Sequence, residues 1–118
     1  MPKVIVKTPE SYVADVQEWP TINLQTLQKV VGGYIEAAFS IASRRKGKTI
    51  TAYCNEEGRL RGLRMSMQSL VDGHVIVGPV VFVATDAEGY DVGLSVGEIN
   101  DIAHRLGVHQ GIGVKGVN

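Results

Sequence analysis

Ten residues from Val75 to Ala84 read Val-Ile-Val-Gly-Pro-Val-Val-Phe-Val-Ala, without one charged side chain. An extended chain turns successive side chains to opposite faces, so a run apolar at every position is buried on both. That pattern predicts the central strand of a sheet. Gly78-Pro79 interrupts it and predicts a bulge or bend, because proline brings no N–H to a ladder. The run is the longest apolar one in the chain, about half of the roughly 20 residues that a membrane-spanning helix requires, so no such helix is expected.

The other elements follow from periodicity and punctuation. Val4 and Val6 between Lys3 and Lys7 predict an edge strand, and Thr8-Pro9-Glu10-Ser11 a turn. Tyr12 to Trp19 reads as a second strand, stopped by Pro20. Asn23 is an N-cap for a helix carrying Leu24, Leu27, Val30 and Val31, which Gly32-Gly33 ends. Ile35, Ala37, Phe39 and Ile41 alternate with Tyr34, Glu36, Ala38 and Ser40 as a half-buried strand does. Ile50, Ala52 and Cys54 give the next strand its inner face. Asn55-Glu56-Glu57-Gly58 and Asp86-Ala87-Glu88-Gly89 are turns. The stretch from Arg59 to Asp72 fits a short strand followed by a loop or helical turn. A short strand from Tyr90 to Leu94 precedes Ser95 and Glu98, a capping box for a closing helix with Val96, Ile99, Ile102, Ala103 and Leu106 on its apolar face, ending at Gly107. The fold class is α+β: one domain over residues 1–107, with an antiparallel or mixed sheet of about five to six strands and two helices on one face. Residues 108–118 are expected to form a flexible glycine-rich tail.

At 118 residues, with 44% apolar side chains, the chain has material for one core. The lone cysteine, Cys54, forbids an internal disulfide. No signal peptide is visible at the N-terminus, so a cytoplasmic location is expected.

Charge is unevenly spread. Arg44, Arg45, Lys46, Lys48, Arg59, Arg61 and Arg64 are opposed locally by Glu56 and Glu57 alone, leaving a formal +5 on a chain whose total is zero. Arginine offers phosphate a planar two-pronged donor. Gly47 lets a ligand come close to the backbone, and Tyr53 or Tyr34 offers a ring to stack a base. These residues are the candidate ligand site, on the expectation that both basic segments face one pocket. A small anionic ligand or a protein partner ranks above nucleic acid, since neither predicted helix is basic and aromatics are scarce.

Catalytic and metal signatures are missing. Cys54 falls on a core face with no nearby histidine. His74, His104 and His109 are too scattered for a metal. The paired acids sit at turn tips, open to water. Gly111-Ile112-Gly113-Val114-Lys115-Gly116 matches a dinucleotide fingerprint by letter, but no helix follows it to hold a pyrophosphate. No enzyme activity, cofactor or metal is therefore expected. Trp19 and Tyr12 are core or rim residues, or part of a subunit interface; sheet edges in so small a domain predict a homodimer or higher homo-oligomer.

Three blocks stand out in order: Val31-Gly32-Gly33-Tyr34-Ile35-Glu36, then Asn55-Glu56-Glu57-Gly58-Arg59-Leu60-Arg61-Gly62-Leu63, then Ile76-Val77-Gly78-Pro79-Val80-Val81. Together they resemble a family of small domains of unknown function common in phages and mobile elements. Arg64-Met65-Ser66-Met67 stands where that family often carries a proline and an asparagine. The resemblance implies a phage or prophage origin. By analogy, it also implies a role in blocking host defences from the host cytosol. The expected function is binding and sequestration of a small phosphorylated nucleotide messenger at the basic site. Inhibition of a host protein, or weak binding of nucleic acid, are the alternatives.

Overall fold

The computed structural model describes residues 1–117. In chain order its elements are β1 (Lys3–Lys7), β2 (Val13–Glu18), α1 (Leu24–Val31), β3 (Ile35–Ala42), β4 (Thr49–Asn55), β5 (Met65–Gln68), β6 (Val75–Val77), β7 (Val80–Thr85), β8 (Asp91–Val92), α2 (Val96–Gln110) and β9 (Gly113–Lys115). Seven strands form one sheet in the order β3-β4-β7-β1-β2-β9, with β8 added to β7. All its pairings are antiparallel except β2 with β9, so the α+β sheet is mixed. β5 and β6 make a separate two-stranded sheet.

The apolar run does not stay in one strand. It divides at Gly78-Pro79 into β6, in the small sheet, and β7, at the centre of the large one. Gly78 has φ +75°, and a Cβ there would lie 2.8 Å from Leu63 Cδ1. Its N–H donates to the Arg64 carbonyl at 2.8 Å. A glycine that can take a positive φ, followed by a residue with no N–H to pair, lets the chain leave one ladder and join another.

β7 explains the layering. Val80, Phe82 and Ala84 pack on one face with Ile99, Ile102 and Leu106 of α2. Val81 and Val83 pack on the other with Leu27 and Val31 of α1. The two helices therefore cover opposite faces of the sheet, not one face as the sequence suggested. A central strand that is apolar at every position has two faces to keep dry, and each takes its own helix. β1 is corrected for the same reason. It lies between β7 and β2, not at an edge. Val4 and Val6 face α1 while Ile5 faces α2.

β3 carries a bulge between Ala37 and Phe39. The extra residue shifts the phase of alternation. Ile35 thus joins the α1 side, and Phe39 and Ile41 join the α2 side, where Phe39 meets Phe82 edge to face with ring centroids 5.8 Å apart.

Both helices start where their caps predict. Asn23 and Thr26 form a reciprocal capping box on α1, and Ser95 and Glu98 do so on α2. α2 runs past Gly107 to Gln110, because its αL cap is Gly111. Residues 113–115 of the expected loose tail instead pair with β2 as β9; Asn118 lies outside the described residues. Trp19 is buried against α1, whereas Tyr12 is almost fully exposed.

Asn55 fastens α1 to the sheet. Its buried side chain donates from Nδ2 to the Val31 carbonyl at 3.1 Å and accepts at Oδ1 from the Glu57 N–H at 2.8 Å. Asn55→Ala leaves both groups unmatched, and is expected to cost about 2 kcal/mol, read as a lower denaturant midpoint at unchanged slope.

Candidate functional site

The two basic segments lie at opposite ends of β4. Lys48 and Asn55 bracket a strand of about 20 Å at the usual rise per residue. At the first end, Arg44 grips Asp101 of α2 with Nε–Oδ2 at 2.8 Å and Nη2–Oδ1 at 2.5 Å. Arg45 donates to Glu98 at 2.6 Å and to the Gly93 carbonyl at 3.0 Å. Lys46 is exposed and Lys48 half-buried; neither has an ion-pair partner among the described residues. At the other end, Arg59 donates to the Val75 carbonyl and Arg61 to the Gly32 carbonyl, each at 2.8 Å. Arg64 stands 3.9 Å from Glu10. Tyr53 faces the α1 side and donates to Asp91 at 3.0 and 3.1 Å. Burial, with Asp91 alongside, pushes its phenol up to about 12. The expected single basic pocket does not form. Arg44, Arg45, Arg59 and Arg61 tie loops and strands to carboxylates or to backbone carbonyls, which is fold-holding work.

A different cavity contains none of those basic residues in its wall. It measures about 500 Å³ and lies where β1 ends, between β5 and the C-terminus of α2, lined by Lys7, Tyr12, Met65, Ser66, Gln68 and His109 among others. Arg64 and Glu10, both exposed, are outside its lining. β5 is held against α2 by a side chain that imitates a strand. Gln110 accepts from the Gln68 N–H at 2.8 Å and donates to the Gln68 carbonyl at 2.6 Å.

Lys7 is the unusual member. It is only 4% exposed. Its Nζ makes one hydrogen bond, to the Thr8 carbonyl at 2.7 Å, and no carboxylate lies within ion-pair distance among the described residues. Burial lowers its pKa below the ordinary lysine value, with the charge of Glu10 pulling the other way. The end of α2 adds partial negative charge to the far wall. Two of its last carbonyls are already taken by the N–H groups of Gly111 and Ile112.

A second cavity of about 460 Å³ lies between β3, β4 and β6. Glu36, Glu56 and Asp72 outnumber Arg59 in its wall, so its charge opposes an anion. Cys54 lies there on the core face that its alternation predicts. Burial, and then Glu36, push its thiol up to about 11, which keeps it protonated and a poor nucleophile.

A family model described as a domain of unknown function (DUF3846) matches residues 2–107. The chain belongs to that family. No curated protein and no solved structure matches it. The span matched by the family contains Lys7, Tyr12 and β5, and stops before His109 and Gln110, which close the cavity.

Lys7 was legible in part. Three successive apolar residues, Val4-Ile5-Val6, mark a strand buried on both faces, and alternation then puts Lys7 on the face of Ile5. Reading the lysines as solvated flanks hid this. His109 and Gln110 carried no such signal, because the contact of Gln110 with Gln68 spans 42 residues.

Among the described residues, no helix is long and apolar enough to cross a membrane. Nor does any group of three or more His, Cys, Asp or Glu side chains converge as metal ligands would.

Proposed function

We propose that this protein works by binding, and that it holds a small anionic ligand in the cavity beside Lys7. One observation carries the reading: a lysine buried in a cavity wall, with no carboxylate within ion-pair distance among the described residues. A buried ammonium without a counter-charge costs folding stability, so a fold that keeps one gains by admitting the missing anion. The cavity has the volume typical of small-molecule sites. Lys7 in its wall suits a phosphate, and the open ring of Tyr12 suits a base. A phosphorylated nucleotide answers both features. With the phage-type resemblance of its sequence blocks, the biological setting is sequestration of a nucleotide messenger in a host cell as counter-defence.

Isothermal titration against a panel of cyclic and linear nucleotides tests this. Saturable binding of at least one compound, weakened in Lys7→Met and in Tyr12→Ala, is expected. Silence across the panel at high protein concentration overturns the nucleotide reading. Inhibition of a host protein is the second reading, favoured by the exposed apolar side chains of Leu60, Met65, Val71 and Val75 on and around the small sheet. It predicts that the purified chain recovers a single host partner with no nucleotide added.

A further inference from the structure

Lys7 differs from the other lysines of the chain, Lys3, Lys29, Lys46, Lys48 and Lys115, in being buried and in facing a cavity. Its single hydrogen bond, to the Thr8 carbonyl, anchors the amine and fixes its position. We propose that the Lys7 amine captures ligands that carry both an anionic group and an aldehyde or ketone, by forming a reversible imine inside this cavity. The inference rests on the anion-site reading above and adds a covalent step to it.

The chemistry is that of a desolvated amine in the wall of an open cavity. Burial favours the neutral form of Lys7, the form with a free electron pair. That pair attacks the carbonyl carbon, and a C–N bond forms as the C=O π pair moves onto oxygen. The nitrogen loses its protons and the oxygen gains two. Water then leaves as C=N replaces C=O, and no electrons are gained or lost overall. Exposed His109 lines the same cavity and can pass protons between the two atoms. The neutral imine then takes up one proton from water and becomes a cation, which the ligand's own anionic group partners. Binding of this kind is capture without turnover, which suits sequestration.

Pyridoxal 5′-phosphate is a fitting probe, since it joins a phosphate, an aldehyde and an aromatic ring. Pyridoxine 5′-phosphate, with an alcohol in place of the aldehyde, is its control. The full chain is incubated with either compound, its thermal midpoint is measured, and it is then reduced with borohydride and mapped by peptide mass spectrometry. The expected result is one adduct per chain, from the aldehyde alone, on the peptide holding Lys7 and at least tenfold enriched over the other lysines. Lys7→Arg should abolish that adduct; wild-type mapping decides the matter even where this variant folds poorly. Both compounds raising the midpoint without a Lys7 adduct overturns the imine and leaves the anion site standing. Adducts spread according to surface exposure also overturn it. No shift and no adduct removes both readings.

Discussion

Glu98→Ala is expected to destabilise the protein by about 3 kcal/mol, among the largest losses available from one side chain outside the apolar core. Glu98 is fully buried at the N-terminus of α2. It accepts from Ser43 Oγ, from Arg45 at 2.6 Å and from the Ser95 N–H at 2.8 Å. Its removal strips the capping box and leaves Arg45, whose Nε is already buried without a partner among the described residues, facing a void. Arg45 is about one-third exposed and can turn partly toward water, which holds the estimate at the lower end for a broken buried pair. Chemical denaturation at neutral pH measures the loss.

The same carboxyl sets an acid limit. Burial alone would raise its pKa, but the hydrogen bonds from Ser43, Ser95 and Arg45 outweigh burial and hold it below 4.5. Folding therefore favours the ionised form. The stability so gained is fully present above the unfolded value and is lost as pH falls through the lower, folded one. Glu98→Gln should be less stable at neutral pH and should show a shallower decline below about pH 4.5. An unchanged acid limb would assign the decline to other carboxylates, Asp101 beside Arg44 first among them.

Lys7→Met has two expected effects of opposite sign. Stability should rise by about 1 kcal/mol, because an apolar side chain of similar length replaces a buried, unpaired ammonium. Affinity for an anionic ligand should fall about 10- to 100-fold, the worth of a charge-assisted hydrogen bond. A folded pKa below the unfolded value means that folding expels a proton. Wild-type stability thus climbs as pH rises from the folded value toward 10.5. The variant should lack that climb. Denaturation curves from pH 7 upward, with titrations of the same samples, read both effects. A variant less stable than wild type would show that Lys7 serves packing instead.

Much of the fold was legible because its signals are local. Asn23 with Gly32, and Ser95 with Glu98, mark helix termini within a few residues of sequence, and each cap forms as the pattern predicts. Cys54 lies on the core face that the alternation of Ile50 and Ala52 predicts. The candidate site was far less legible. A cluster of positive charge is visible in sequence, but its partners are not: Asp101 lies 57 residues beyond Arg44, and Glu98 lies 53 beyond Arg45. Once those pairings form, most of the apparent anion site is occupied with holding the fold.

Short-range pattern sufficed for where the helices start, for the alternation of Ile50, Ala52 and Cys54 in β4, and for the burial of β7 on both faces. Periodicity and capping act over a few residues, where φ/ψ preference and side-chain direction suffice. Long-range packing settles that the helices take opposite faces, that the bulge at Ala37 and Phe39 sends Ile35 to one side and Ile41 to the other, and that Lys7, β5 and the end of α2 line a common cavity. Those outcomes depend on strand order and register. Both are settled by which distant surfaces fit together when the chain closes, a choice that no short window of residues contains.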